Sequence, residues 1–225
     1  MAGGVFLKSA ADPEFEPGHK PSRAWLIVAA AGLLGALLCW PLPAAWLDWQ
    51  PALAASQPWR AVSAAWVHWS VQHLAANIAG VLLVAALGHV ARLPARAALA
   101  WALAWPLTQW GLLLRPELAH YGGLSGVLHA GVAVAALWLV LGKQGPAFGS
   151  RQRWIGAGIA AGLTLKLLLE APWGPALRHS SNWDIAIAPL AHATGALAGA
   201  ASALLTLLLL LAWPQRGQPK QTMAP

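Results

Sequence analysis

A serine between small residues, at the start of a long apolar run, stands out as a candidate reactive group. Ser125 lies in the segment Gly123-Leu124-Ser125-Gly126-Val127-Leu128-His129, and the hydrophobic run continues to about Leu141. Glycine lowers helix stability, so packing alone explains this pattern poorly. Small neighbours let a peptide backbone approach the hydroxyl, and a helix N-terminus offers free N–H groups to a developing oxyanion. We predict Gly123 and Leu124 as supporting residues beside the serine. A tight helix-helix contact is the alternative explanation.

Two other apolar segments carry polar side chains that suit a reactive serine. His73 and Asn77 are four residues apart, so a helix places them on one face. His192 is followed on its own face by Gly195 and Gly199, which allow close packing against another helix. Taken alone, His73 and Asn77 are explained equally well as catalytic donors and as partners in hydrogen bonds between helices. His192 taken alone is explained slightly better as a structural histidine than as a reactive one.

A serine hydroxyl needs a base to accept its proton, and histidine is the commonest one. We therefore predict a dyad of Ser125 and His192, with His73, Asn77 and backbone N–H groups as oxyanion donors. No acidic side chain is expected to orient His192, because Asp184 precedes it by two helical turns. The sequence therefore favours a dyad over a triad.

The remaining polar residues in the apolar segments have simpler explanations. His129 follows Ser125 by one turn and is expected to stack beside the dyad, with a second base as the alternative. Lys166 and Glu170 are spaced for a structural ion pair. The other histidines are interpreted as ordinary polar residues, His68 being the possible exception: His68, His89, His120 and His179. A zinc site is disfavoured because there is no HExxH motif and carboxylates are few, so we expect no cofactor.

The composition indicates that these residues belong to a membrane protein. The 225 residues are 58% hydrophobic and 9% charged, and the apolar residues form blocks long enough to span a bilayer. The single cysteine, Cys39, excludes an intrachain disulfide. A net charge of +7 falls mostly in short loops, which indicates membrane orientation and not nucleic-acid binding. Many tryptophans lie near span ends and are interpreted as interface anchors: Trp25, Trp40, Trp138, Trp154, Trp173 and Trp213.

Six apolar blocks predict an all-α bundle of six transmembrane helices over residues 24–213, between tails at 1–23 and 214–225. The expected spans are roughly 24–40, 64–88, 97–114, 123–142, 154–171 and 185–213. Ten Lys and Arg fall in the segments on the side of the termini and three on the other side, so both termini are predicted to be cytoplasmic. Spans two, four and six then run inward together, which places their polar residues at one depth.

The combined pattern resembles the rhomboid intramembrane serine proteases. It comprises His68-x4-His73-x3-Asn77, Gly123-Leu124-Ser125-Gly126, Ala191-His192-x2-Gly195-x3-Gly199 and a preceding Trp59-Arg60 pair. The resemblance implies that Ser125 attacks the scissile carbonyl and that His192 is general base and then acid. It also implies that His73, Asn77 and the Ser125 amide bind the oxyanion, and that His68 is structural. The family usually has tyrosine where this chain has His129.

The segment 121–129 is similar to the rhombosortase branch of that family. This similarity implies substrates that are exported, membrane-anchored proteins with a C-terminal Gly-Gly motif, a hydrophobic helix and a basic end. We therefore expect an intramembrane serine protease in a bacterial inner membrane, with its site toward the periplasm. A rhomboid protease with other substrates, a non-catalytic rhomboid-like client-binding protein and a proton-coupled transporter are the alternatives. Of these, the transporter is expected to show related halves or broken helices.

Overall fold

The chain is all-helical in the computed structural model, which describes residues 22–142 and 150–212, with side chains through residue 209. No strand occurs in those two ranges, and the predicted tails lie almost wholly outside them. Six long helices and one short one follow in order: α1 Arg23–Cys39, α2 Arg60–Ser63, α3 Val71–Val90, α4 Ala95–Trp110, α5 Ser125–Leu141, α6 Ser150–Glu170 and α7 Pro189–Ala212.

Three of these helices are long and apolar enough to cross a membrane. They are α3, α4 together with the 3-10 turn that extends it to Leu114, and α7 as far as Leu209. The helices α1 and α5 are apolar but have 17 residues each, at the short end for a span. Charged residues occupy both end turns of α6. The prediction of an all-helical membrane protein is thus supported in its coarse form, and the count of six spans stays a prediction.

The second predicted span begins later than the sequence pattern indicated. Residues Ala64–Trp66 form a separate 3-10 turn, and α3 begins only at Val71. Ser70 caps α3, because its side chain accepts a hydrogen bond from the His73 amide at 3.1 Å. His68 therefore lies in the connection before the helix, which corrects its expected place inside the span.

The helix α5 lies at the centre and packs against α3, α4, α6 and α7. Small residues line its closest contact, which is with α7. A Cβ atom at Gly195 or Gly199 would overlap the carbonyl oxygens of Gly126 and Ala130, so only glycine fits there. Large leucines instead cover the outer surface, as is typical of a lipid-facing bundle. The predicted close approach of the sixth span through Gly195 and Gly199 is confirmed.

Two of the tryptophans interpreted as interface anchors are core residues instead. Trp25 is fully buried, packs against Trp101 with ring centroids 4.5 Å apart and planes tilted by 34°, and donates its indole N–H to the Val84 carbonyl at 2.9 Å. Trp138 is also buried. The Trp25 ring occupies the space that a Cβ at Gly88 in α3 would need. Trp154 and Trp173 are exposed as expected, Trp40 is partly exposed, and Trp213 lies outside the described residues.

The loop between α1 and α3 holds the segment that precedes Ser125. Trp49 and Tyr121 form a β-bridge with N···O distances of 2.7 and 2.9 Å, and the Gly123 amide donates to the Ala64 carbonyl at 2.9 Å. Arg60 and Asp48 form a buried ion pair inside the loop, with nitrogen and oxygen 3.1 Å apart. Further hydrogen bonds to main-chain carbonyls satisfy the guanidinium, as a buried charge requires. This loop is consequently a rigid support for the start of α5.

Candidate active site

The structure brings Ser125 and His192 into hydrogen-bonding distance, as the sequence predicted. Ser125 is the first residue of α5, and His192 lies in the first turn of α7. The Ser125 hydroxyl donates to His192 Nε2 across 3.0 Å. The glycine contacts between the two helices set this distance, because larger residues would hold α7 farther away. A hydroxyl aimed at an imidazole nitrogen is the arrangement that lets the ring accept its proton during attack.

A carboxylate does contact His192, which contradicts the expectation that acidic residues are misplaced to orient this ring. Glu170 Oε2 accepts a hydrogen bond from His192 Nδ1–H at 2.7 Å. The expected ion pair with Lys166 also exists, through the other carboxylate oxygen. The helix α6 ends at Glu170 and so presents its last side chain at the level of the first turn of α7. Asp184, in contrast, accepts a hydrogen bond from Ser70.

His129 stacks on His192, in agreement with the sequence prediction. The ring centroids are 4.2 Å apart and the planes differ by 11°. His129 Nδ1–H donates to the Ser125 carbonyl at 2.6 Å, so this nitrogen cannot also serve as a base. The stack covers one face of the His192 ring and restricts its rotation. His129 is therefore placed to support the imidazole and not to replace it.

The predicted oxyanion donors lie in the first two turns of α3 and line the same cavity as Ser125. His73 and Asn77 are both buried. Trp69 N–H donates to His73 Nδ1 at 3.4 Å, so the neutral ring carries its proton on Nε2. Asn77 Nδ2 donates one of its two hydrogens to the His73 carbonyl at 3.1 Å, which leaves the other available.

Gly123 joins this side of the site to the serine. A Cβ at position 123 would lie 2.7 Å from His73 Nε2, and its φ of 131° is a conformation that few other residues adopt. The Leu124 side chain instead faces the core, next to Gly32 and Trp105, and it is buried there. Among the predicted supporting residues, Leu124 thus contributes only through its backbone, as the residue that precedes α5.

His68 packs behind His73 and does not reach the serine. The two ring centroids are 4.8 Å apart, and His68 Nδ1–H donates to the Trp66 carbonyl at 3.1 Å. Burial lowers the pKa of His68 to about 4, so the ring is neutral at physiological pH. A neutral, packed ring at this place suits the structural role that the resemblance implies.

Three residues of the site were not identified from the sequence. One is Glu170. Tyr121 is 7% exposed, and its hydroxyl has no hydrogen-bond partner within the described ranges. Burial raises the pKa of Tyr121 to about 12. His120 lines the same cavity and pairs with Asp48 at 2.6 Å. For Tyr121 and His120, the only signal in the sequence is their position shortly before Ser125.

A cavity of about 690 Å³ contains the site and lies between α3 and α6. The dyad, the oxyanion donors and Tyr121 form its polar end, and apolar side chains such as Leu83 and Leu163 line the rest. The connection between α6 and α7 covers part of it and is tied to the start of α3. Ser70 donates to Asp184 at 2.8 Å, and Gln72 Nε2 donates to the Asn182 carbonyl at 3.0 Å.

The geometry favours a hydrogen-bonded cluster over a metal site. Ligand atoms of His129, Glu170 and His192 lie within 4.8 Å of one another. Zinc requires ligand nitrogens whose lone pairs converge at about 2 Å from the ion. The two imidazole rings are instead stacked and nearly parallel, so their in-plane lone pairs do not converge. His192 Nδ1 is, in addition, already bonded to Glu170.

Comparison with known proteins does not assign the chain to a family: no protein-family model matches it, and no curated protein matches it.

Proposed function

We propose that this protein is a serine protease of the membrane, related to the rhomboid intramembrane proteases. The observation that carries the proposal is the 3.0 Å contact between the Ser125 hydroxyl and His192 Nε2 at the polar end of an otherwise apolar cavity. A serine and histidine from different helices are paired here within one hydrogen bond. The predicted oxyanion donors lie beside the same serine.

In this mechanism Ser125 Oγ attacks the carbonyl carbon of a peptide bond while His192 Nε2 takes the hydroxyl proton. The carbonyl oxygen becomes an oxyanion, for which His73 Nε2–H, the free Asn77 N–H and the Ser125 amide are the available donors. The Ser125 amide is free because the first N–H groups of a helix have no partner in it. His192 then protonates the leaving amine, and water hydrolyses the acyl-enzyme.

The proposed substrate is a membrane-anchored protein cleaved in or next to its transmembrane helix. The apolar lining between α3 and α6 suits a segment that arrives from the bilayer. A peptide must be extended for its carbonyl to reach the serine, so helix-weakening residues such as glycine near the bond favour cleavage. We accordingly propose rhombosortase-type substrates with a Gly-Gly motif, a hydrophobic helix and a basic end. For the protease itself, we propose a six-span topology in a bacterial inner membrane, with a site that faces the periplasm.

Cleavage of a reporter tests this function. An exported reporter domain that carries a Gly-Gly motif, a hydrophobic helix and an Arg-rich end is co-expressed with the protein or with Ser125→Ala. The proposal expects a shortened reporter only with the active chain, with the new C-terminus at or near the Gly-Gly motif. A second reporter with an unrelated transmembrane helix separates a rhombosortase-like from a generic rhomboid specificity. If neither reporter is cleaved, or if Ser125→Ala cleaves equally well, the proposed reaction is wrong.

A further inference from the structure

We infer that Glu170 is a positioning residue that holds His192 in the orientation and tautomer needed to accept the Ser125 proton. This inference rests on the proposed function and extends its dyad to three residues. The contacts form a continuous chain: Glu170 Oε2 to His192 Nδ1 at 2.7 Å, then His192 Nε2 to Ser125 Oγ at 3.0 Å.

The Glu170 carboxylate determines the tautomer of His192. An ionised carboxylate can only accept hydrogen bonds, so the His192 nitrogen that contacts it must carry the proton. In the neutral ring Nε2 then keeps its lone pair, and this is the nitrogen that faces the serine hydroxyl. When Nε2 takes up the serine proton, the carboxylate also stabilises the positive charge of the imidazolium.

The end of α6 holds Glu170 in place through the backbone of that residue. Its main-chain carbonyl accepts a hydrogen bond from Arg178 at 2.7 Å, and Ala171 ends the helix with a φ of 49°. The backbone that carries the carboxylate is therefore fixed where α6 meets the connection to α7. Such support is what precise orientation of a catalytic ring requires.

A purely structural pair between Glu170 and Lys166 is the competing explanation. The Lys166 side chain is 47% exposed and can be solvated, so it has little need of Glu170. The His192 side chain is only 9% exposed, and its Nδ1–H would lose its partner without the carboxylate. His129 on α5 stacks on the His192 ring but does not occupy Nδ1, because its own Nδ1–H donates to the Ser125 carbonyl.

The test compares Glu170→Gln with Lys166→Met, which removes the other partner of the same carboxylate. The measured quantity is the second-order rate constant for modification of Ser125 by a fluorophosphonate in purified, folded protein. We expect Glu170→Gln to lower it by about 10²- to 10⁴-fold, because an amide can hold either tautomer. Lys166→Met should stay within about threefold of the unchanged protein, as an exposed ion pair contributes little. Equal losses in both variants would show a structural ion pair and overturn the inference.

Nitrogen NMR of ¹⁵N-histidine-labelled protein gives a second readout that does not depend on reactivity. The His192 resonances, assigned by their absence in His192→Gln, should report the Nδ1–H tautomer in the unchanged protein and a mixture in Glu170→Gln. An unchanged tautomer in Glu170→Gln contradicts the inference, even if Ser125 proves unreactive and the protease proposal fails. Should Glu170→Gln not fold, Glu170→Asp keeps the charge on a shorter side chain and is expected to give an intermediate rate; a rate equal to that of the unchanged protein would contradict the inference.

Discussion

The polar side chains around Ser125 each make one hydrogen bond to a neighbour that fixes their orientation. Each keeps a second polar group for the site. His73 Nδ1 accepts from the Trp69 amide, so Nε2–H is the free donor. Asn77 gives one amide hydrogen to the His73 carbonyl and keeps the other. His192 is bonded to Glu170 through Nδ1 and to Ser125 through Nε2. Donors that are fixed before substrate arrives stabilise developing charge without reorganisation, which is how an oxyanion site gains its effect.

Replacing either oxyanion donor should slow the reaction without unfolding the protein. We expect His73→Ala and Asn77→Ala each to lower turnover of a cleaved reporter by about 10²- to 10³-fold. His89→Ala, in the last turn of the same helix, is the matched control and should leave turnover unchanged. Turnover that is insensitive to both His73→Ala and Asn77→Ala would remove these residues from the oxyanion site.

Residue types in an apolar setting predicted part of this site. Ser125, His73, Asn77 and His192 stand out because polar groups are costly in lipid, and the structure places them together. Glu170 could not be recognised in the same way. A charged side chain at a helix end has an ordinary explanation in snorkelling to the interface, and its contact with His192 depends on the residue at which α6 ends.

The ends of three helices set the geometry of the site. Ser125, the proposed nucleophile, begins α5; His192, the proposed base, lies in the first turn of α7; and Glu170 ends α6. Two backbone conformations fix these ends: Gly123, with a φ of 131°, before α5, and Ala171, with a φ of 49°, after α6. Alanine in a left-handed conformation costs roughly 1 kcal/mol more than glycine does, so the end of α6 is held despite local strain.

Exchanging the residue types at these two positions should have opposite effects. Ala171→Gly relieves the strain and is expected to raise the melting temperature by about 2–4 °C. Gly123→Ala adds a Cβ against His73 in a conformation unsuited to alanine, so we expect lower stability and about a 10²-fold loss of Ser125 reactivity. Thermal denaturation in detergent and fluorophosphonate labelling measure the two effects. Unaltered stability and reactivity in Gly123→Ala would contradict the predicted crowding at His73.

Helix boundaries were the weaker part of the prediction, for a physical reason. Apolar composition continues from Ala64 into α3, yet Ser70 caps the helix and residues before it fold separately as a 3-10 turn. Hydropathy records which residues avoid water and does not record where hydrogen bonding starts. The existence of the long helices was therefore predictable, whereas the placement of His68 outside α3 was not.

The molecule as a whole combines a core of small residues with a surface of leucines, and it has a polar cavity near one end of α3, α5 and α7. Alanine and glycine between α5 and α7 allow the helices to approach, while tryptophans fill the gaps elsewhere in the core. The proposed six-span topology adds an orientation, because it concentrates the basic residues in the loops on the side of the termini. Under that topology, the cavity is expected on the side away from the termini.

Single-cysteine labelling in intact cells tests this orientation. With the only native cysteine removed by Cys39→Ala, Glu117→Cys places a thiol in the exposed loop before α5, and Gln221→Cys places one in the C-terminal tail. We expect a membrane-impermeant maleimide to modify position 117 in intact cells and position 221 only after permeabilisation. The reverse pattern, or equal modification of both, would contradict the proposed topology.

Covalent capture of Ser125 tests the central claim most directly. Purified, folded protein is treated with a fluorophosphonate, and the modified residue is identified by mass spectrometry beside Ser125→Ala and His192→Ala. The account predicts a single adduct on Ser125, its absence in Ser125→Ala, and a strongly reduced rate in His192→Ala because the base is missing. Folded protein that forms no adduct, or that forms one equally well without Ser125, would show that this serine is not the nucleophile.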